Sequence, residues 1–341
     1  MSTITLAAVP SVTPKPLPWH RLGWVVWRRH RGTLTATLAV LAGVTVYLVV
    51  TGFRSRSAWH TVQACTPAHS QVCAFAWNNF SNANSNPAIL SALFLFAPLL
   101  IGAFTGAPLL GRELESGTFR YTWTQGVGRT RWAYAMITSG AVVVASLAGG
   151  LGALISWHDQ PLWSADVAPR LAAIPWTGVA VIGWALLAYA VGLLAGLLLR
   201  RALPALGTAV IATFGVAFAA SRVRWQYLTP VKTSSLDYVA GSQTVSQWWE
   251  KAGAHVGTAD LDSVLRAAGL QQIDTGSQSV SPGAISDDPI TYLLHHGYTQ
   301  WTSYQPGSRY WAMQWIEFGW LAVLAGTIIA ATLLLLKHRD A

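Results

Sequence analysis

Charged side chains are scarce in this sequence. Asp, Glu, Lys and Arg together make up 10% of the 341 residues, whereas 52% are hydrophobic and the mean hydropathy is +0.39. Because a soluble domain of this length carries far more charge on its surface, the composition excludes a soluble protein with one large core. It indicates a polytopic membrane protein. The net charge of +9 comes mainly from basic residues at the ends of apolar runs, so we expect lipid contacts and no nucleic-acid partner.

The sequence also lacks the short motifs that carry common catalytic chemistry. No GxxxxGK[ST] phosphate-binding loop, HExxH zinc motif or GxSxG nucleophile elbow occurs in it. The chain therefore cannot hydrolyse ATP by the usual phosphate-binding route, and we expect no enzymatic activity, no cofactor and no metal site of its own. If it moves a substrate uphill, the energy has to come from a partner or from an ion gradient.

Cysteine is nearly absent, since only Cys65 and Cys73 occur. Both fall in segment 54–87, which the topology derived below places outside the cell. Oxidising outer compartments favour a disulfide, and closing so short a loop would contribute roughly 2–3 kcal/mol in the chain-entropy estimate. Two free thiols are the alternative. A zinc site is disfavoured, because no histidines at suitable spacing complete a ligand set.

Six apolar runs are long enough to cross about 30 Å of hydrocarbon as helices. They are residues 33–53, 88–110, 133–155, 174–199, 203–220 and 311–336. The predicted fold is therefore an all-α polytopic membrane protein with six transmembrane helices. We interpret the first run as a retained span and not as a signal peptide, because no small-residue cleavage site follows it and five further runs do.

The distribution of basic residues sets the predicted orientation. Thirteen Lys and Arg residues, against three acids, fall in the segments that an arrangement with both termini inside places in the cytosol. Lys and Arg accumulate on the cytosolic side of membrane proteins. We therefore predict that segment 111–132 and the tail 337–341 are cytosolic, and that segments 54–87 and 222–309 are external.

Two further segments precede the first span. Residues 1–18 contain four prolines and predict a flexible tail. Residues 19–31 place apolar side chains on one helical face and arginines on another, which predicts an amphipathic helix at the membrane interface with a basic cytosolic side.

Segment 222–309 turns polar and has no long apolar run. Its helix candidates are Ser246–Ala252, Ala259–Ala268 and Ile290–His296. The sequence therefore predicts an external helical region between spans five and six.

The densest polar segment between two apolar runs is GRELESGTFRYTWTQGVGRTRW, residues 111–132. Ser116 and its neighbours can start a helix in which Phe119 and Trp123 stand one turn apart, and Gly126 and Gly128 would end it. This pattern predicts a short amphipathic helix under the membrane. An interfacial loop anchored by its aromatic residues is the alternative.

The run RELESGTFRYTWTQGVGRTRW resembles the cytoplasmic loop between the second and third spans of ABC exporter permeases of the type V fold. In actinobacterial members this loop typically contains R-E-x-E-x-G-T-x-R and, after a turn, R-x-R-W. Many relatives have Pro-Val-Ser where this chain has Gly126-Val127-Gly128. A second run, YQPGSRYWAMQWIE at residues 304–317, is similar to the entry into the last span of the same permeases. With the hydropathy layout, the resemblance covers nearly the whole chain.

The resemblance implies a permease subunit in a bacterial cytoplasmic membrane that exports its substrate. It implies two partners, a separate ATPase subunit that holds ATP and Mg²⁺ and a second permease subunit that is either a copy of this chain or a relative. Segment 116–125 would be the coupling helix, and helix 19–31 would lean against the ATPase. The residues expected at the ATPase interface are Glu113, Glu115, Gly117, Thr118, Phe119, Arg120, Trp123 and Arg129.

Glu317 is the acid that falls inside a predicted span. Intramembrane carboxylates are costly, so they are candidates for contact with a proton or a cationic substrate. Six residues below Trp311 correspond to only about 9 Å of rise, so hydration at headgroup level is the structural alternative. Two other functional classes stay open. They are a membrane sensor or scaffold whose external region binds a ligand, and an ion-coupled carrier that uses Glu317.

Overall fold

The computed structural model describes residues 19–67, 70–85, 88–116, 129–234, 239–268, 270 and 289–338. The predicted tail 1–18, most of the predicted coupling helix and residues 339–341 lie outside these ranges. The chain divides into two compact units. The helical unit comprises residues 1–158, 175–217 and 317–341, and the sheet unit comprises residues 159–174 and 218–316.

Helices dominate the described part of the chain. In order they are α1 (Trp19–Gln63), α2 (Gln71–Asn84), α3 (Ala88–Ser116), α4 (Arg129–Ser164), α5 (Ala180–Leu199), α6 (Ala202–Val223), α7 (Thr258–Ala267), α8 (Pro289–His295) and α9 (Tyr310–His338). Short 3-10 turns cover Arg170–Trp176, Arg224–Gln226 and Gly307–Arg309.

Four helical stretches of the described chain are long and apolar enough to cross a membrane. They are Ala133–Ser164, Arg170–Leu199, Ala202–Gln226 and Gly307–His338, and they overlap the last four predicted spans. The chain is thus a mostly helical membrane protein. The first two predicted spans fall within α1 and α3. In α3 the apolar stretch Phe96–Arg112 is shorter than the four candidate spans. The total of six spans therefore stays a prediction.

One continuous helix replaces three segments that the sequence analysis separated. The interface helix 19–31, the span 33–53 and the start of the external loop all lie within α1, which runs for 45 residues. The boundary predicted at residue 54 therefore falls inside this helix. No proline interrupts residues 19–63, so nothing removes a donor from the helical hydrogen-bond ladder.

The segment after α1 folds back as a second helix. The predicted disulfide between Cys65 and Cys73 is present, with 5.6 Å between the two Cα atoms, and it links the end of α1 to the start of α2. Trp59 on α1 packs against Phe80 on α2 with 5.3 Å between ring centroids, and Phe80 is fully buried. Ser55 donates a hydrogen bond to the Asn84 amide oxygen at 2.9 Å. The two helices therefore form an antiparallel hairpin.

In the helical unit, α3 packs closely against α5. A Cβ added at Gly192 would lie 2.7 Å from the backbone nitrogen of Ala107, and one added at Gly196 would lie 2.8 Å from its carbonyl oxygen. Added Cβ atoms at Gly102 and Gly106 would overlap carbonyl oxygens of α5. The small-xxx-small spacings on both helices thus pack against each other, as such spacings do in membrane helix pairs.

Tyr189 joins α5 to a third helix. Its side chain is fully buried, and its hydroxyl donates to the backbone oxygen of Ile137 on α4 at 2.9 Å. Gly140 on α4 leaves room for the ring, because an added Cβ would lie 3.0 Å from its Cζ atom. The hydrogen bond and the ring contact fix α4 against α5 beside the α3 contact.

The sheet unit contradicts the prediction of an all-α fold and of a purely helical region at 222–309. Four antiparallel strands form one sheet in the order β1-β4-β2-β3. They are β1 (Val231–Thr233), β2 (Gln243–Lys251), β3 (Ala254–Val256) and β4 (Tyr298–Gln305). The helix predicted at Ser246–Ala252 is therefore wrong, because that sequence forms most of β2.

Side-chain alternation explains why this segment forms a strand. Trp249 is buried against Leu261 of α7 and Leu293 of α8, whereas its neighbour Trp248 pairs with Trp301 across the opposite face. Burial with a period of two is the pattern of a half-covered sheet, and tryptophan favours that environment. The helices predicted near residues 259–268 and 290–296 are present as α7 and α8.

Candidate functional site

Most of the predicted coupling segment lies outside the described residues, and its two flanks lie inside them. The flank at the end of α3 contains Glu113 and Glu115, and Arg129 begins α4. The residues outside the described ranges are Gly117, Thr118, Phe119, Arg120 and Trp123. Their roles stay predictions.

Glu115 reaches from the end of α3 to the turn between α5 and α6. Its side chain is exposed, and its Oε2 atom accepts a hydrogen bond from the backbone N–H of Ala202 at 3.4 Å. Ala202 is the first residue of α6, so this N–H has no partner within the helix. A carboxylate is favoured at a helix N-terminus by the helix dipole. Glu115 therefore ties the end of α3 to the start of α6.

Backbone contact supports the same connection. Gly111 is buried, and a Cβ added there would lie 3.1 Å from the Ala202 Cα atom. The turn itself is short, because α5 ends at Leu199 and Arg200 adopts a left-handed conformation with φ of 54° before α6 starts. The end of α3 thus lies directly on the α5–α6 turn, so a displacement of one moves the other.

Three cations are sequence neighbours of residues in this contact, because Arg112 follows Gly111, and Arg200 and Arg201 precede Ala202. Arg112 on α3 and Arg200 and Arg201 in the turn are all exposed. The sequence did not predict that the Arg200-Arg201 turn lies against Gly111 at the end of α3. The available signal was the short RRALP link between two apolar runs, which places both helix ends at one membrane surface. We call Gly111, Arg112, Glu115, Arg200, Arg201 and Ala202 the α3–turn contact.

Glu317 lies in a second polar feature, within the apolar part of the helical unit. Its side chain has no exposed surface, and its Oε1 atom accepts a hydrogen bond from the indole Nε1 of Trp184 at 2.7 Å. Trp184 on α5 is also buried, and it meets Trp320 of α9 edge-to-face at 5.7 Å. A side chain of α5 therefore donates a hydrogen bond to this carboxyl.

The Trp184–Glu317 hydrogen bond joins α5 to α9 inside the apolar layer. An unsatisfied carboxyl there would carry a large desolvation cost, so the indole donor matters for the stability of this helix pair. A functional role for Glu317 stays a prediction. Among the residues that the structure describes, no cluster of three or more His, Cys, Asp and Glu residues could hold a metal ion.

A family model described as "ABC-2 membrane transporter related" matches residues 38–225, which is more than half of the chain. This range includes α2 to α6 and the whole α3–turn contact, and it ends before Glu317. No curated protein and no solved structure matches the chain.

Proposed function

The chain belongs to the ABC-2 membrane transporter related family, and from that premise we propose that it is the permease subunit of an ATP-driven exporter whose ATPase is a separate chain. The family description supports a permease that spans the membrane without an ATPase site of its own, which agrees with the lack of a phosphate-binding loop in the sequence. The ATPase, the export direction and a second permease subunit are parts of the proposal.

The α3–turn contact is the observation that carries this proposal. Segment 117–128 connects α3 to α4, so a partner that pushes on it acts on the end of α3. That end is tied to α6 through Glu115 and packed on the turn through Gly111. Further along, α3 is in backbone contact with α5 at Gly102 and Gly106. A push at one point therefore moves three helices together.

Mechanistically, the ATPase pair closes on ATP and presses on segment 116–125 and on the N-terminal part of α1. The closely packed α3–α5 pair transmits the displacement along its length, because interiors packed at this density shift as units. The gap between two permease subunits then changes, which opens a path for the substrate. In this arrangement both termini and the α3–turn contact face the cytosol of a bacterial cell.

Site-specific photo-crosslinking tests the contact with the ATPase. A photoreactive phenylalanine analogue at position 119 should crosslink to the ATPase in native membranes. The matched control is the same analogue at position 75 on α2, where the native Phe75 is 69% exposed and is predicted to be external. A crosslink to an ATPase from position 75 and none from position 119 would reverse the proposed topology.

A functional test uses the described part of the contact. Glu115→Ala should lower substrate-stimulated ATP hydrolysis by the assembled complex, because it removes the acceptor that joins α3 to α6. The control is Glu250→Ala in the sheet unit, which should leave coupling unchanged. Equal coupling in the wild type and in Glu115→Ala would count against transmission through this contact.

The buried Glu317 favours a second candidate, an ion-coupled carrier. A carboxyl with no exposed surface inside a candidate span is the feature that proton-coupled transporters use. Dissipation of the proton gradient with ATP intact separates the two mechanisms. Transport that stops under this condition would favour the carrier, and transport that continues would favour ATP-driven export.

A further inference from the structure

Arg170 lies in a cage of three aromatic rings in the sheet unit. Its Cζ atom is 4.0 Å from the ring centroid of Tyr310, 5.1 Å from that of Trp163 and 5.7 Å from that of Trp311. Tyr310 is buried, whereas Trp311 is 51% exposed and forms the open rim of the cage. The aromatic faces attract the cation, but they do not neutralise its charge, and they do not supply hydrogen-bond acceptors for all of its N–H groups.

The hydrogen-bond donors of Arg170 are incompletely used. Its Nε atom is buried and has no hydrogen-bond partner among the residues that the structure describes. The residue as a whole is half-buried, so the cage does not enclose it completely. A partly desolvated cation is unfavourable without an anion nearby. Within the described part of the chain, the Nε–H of Arg170 therefore lacks an acceptor.

The position of the cage along the helices indicates where that acceptor comes from. Trp163, Arg170 and Tyr310 lie at the ends of three different candidate spans, Ala133–Ser164, Arg170–Leu199 and Gly307–His338. From Tyr310 to Lys337 the α9 helix advances 27 residues, about 40 Å at 1.5 Å per residue. This length equals the thickness of a bilayer with its headgroups. With Lys337 at one headgroup layer, Tyr310 lies at the other.

Exposed tryptophans also indicate that the start of α9 lies at the headgroup layer. Trp311 and Trp315 are 51% and 57% exposed, and tryptophan concentrates where the apolar layer meets the headgroups. The anion that is abundant at that depth is the phosphate of a phospholipid. A guanidinium binds phosphate well because its planar N–H groups match the phosphate oxygens.

We propose that Arg170, caged by Trp163, Tyr310 and Trp311, binds the phosphate group of an anionic phospholipid at the end of α9. The proposal requires that α9 crosses the membrane, and it does not depend on an ATPase partner or on the direction of transport. The bound lipid would neutralise Arg170 and hold the start of α9 at the membrane surface.

Native mass spectrometry of the detergent-purified full chain, titrated with phosphatidylglycerol, tests the proposal. Arg170→Gln should weaken the first binding event about tenfold, the size typical of a hydrogen bond to a charged group. The matched control is Arg222→Gln. Arg222 also lies over one aromatic ring, with its Cζ 4.9 Å from the Phe218 centroid, but it is exposed and has no cage. We expect less than a twofold change for that variant.

Three results would overturn the proposal. They are equal binding in Arg170→Gln and wild type, equal affinity for phosphatidylethanolamine and phosphatidylglycerol, and displacement of the lipid by millimolar inorganic phosphate, which would identify a free anion as the ligand. If Arg170→Gln does not yield a monodisperse protein, Arg170→Lys and Trp311→Ala replace it. Weaker phosphatidylglycerol binding in both supports the cage, and wild-type binding in both contradicts it.

Discussion

Replacement of Gly106 by alanine should destabilise the helical unit, because it forces α3 and α5 apart. The added Cβ would overlap the carbonyl oxygen of Tyr189 and would lie 3.0 Å from both its Cα and its carbonyl carbon. Ordinary contacts of this kind start at 3.4 Å, so the helices must separate by at least 0.4 Å (3.4 − 3.0) and by more to clear the oxygen. The atoms that the added Cβ would meet belong to the backbone of α5, so they cannot move aside by a change of rotamer.

The expected magnitude follows from the cost of overpacking. Inserting a methyl group into a closely packed interface typically costs about 1–3 kcal/mol. Within a helix, the change from glycine to alanine by itself favours folding by about 1 kcal/mol or less, so the net effect should still be destabilising. The control is Gly150→Ala on α4, where nothing lies within 4 Å of the added Cβ. That variant should be as stable as the wild type or slightly more stable.

The assay is the apparent melting temperature of the detergent-purified full chain, followed by size-exclusion chromatography after heating. Because unfolding of membrane proteins is often irreversible, the order of the variants is more informative than the absolute temperature. We expect Gly106→Ala to melt below the wild type and Gly150→Ala not to do so. Equal melting of Gly106→Ala and Gly150→Ala would refute the close packing of α3 on α5.

Three further predictions concern single contacts. Trp184→Phe leaves the buried Glu317 carboxyl without its indole donor. It should therefore lower the free energy of unfolding by about 1–3 kcal/mol and lower the apparent melting temperature. The control Trp315→Phe, at a position that is 57% exposed, should leave the melting temperature unchanged. The double variant Cys65→Ser, Cys73→Ser should destabilise the α1–α2 hairpin by roughly 2–3 kcal/mol. Limited proteolysis should then cleave the chain faster between α1 and α2. An unchanged cleavage rate would contradict a stabilising disulfide. Glu115→Gln should retain part of the stability that Glu115→Ala loses in thermal melts, because its amide oxygen can still accept from Ala202 although the charge that the helix N-terminus favours is lost. Equal melting of the two variants would argue against this hydrogen bond.

The parts of the fold that the sequence predicted depend on strong local patterns. Long apolar runs indicate helices whatever surrounds them. The disulfide followed from the lack of other cysteines and from the predicted compartment. Each of these inferences needs only neighbouring residues.

The features that the sequence did not predict depend on contacts that the spacing of residues along the chain does not encode. The β2 strand was predicted as a helix because adjacent Trp248 and Trp249 hide the alternation, and only the α7 and α8 helices determine which of the two is buried. The contact between Glu115 and Ala202 joins residues 87 positions apart, and the partner of Glu317 on α5 is 133 positions away. The cage around Arg170 likewise collects residues from three candidate spans.

Affinity purification of the chain from its native cell in mild detergent tests whether this permease works with a separate ATPase. We expect an ATPase with a GxxxxGK[ST] motif to co-purify in a near one-to-one ratio, and a photoreactive analogue at position 119 to crosslink to it. Recovery of the intact chain without any ATPase, from membranes that still carry out its transport, would show that transport does not depend on such a partner.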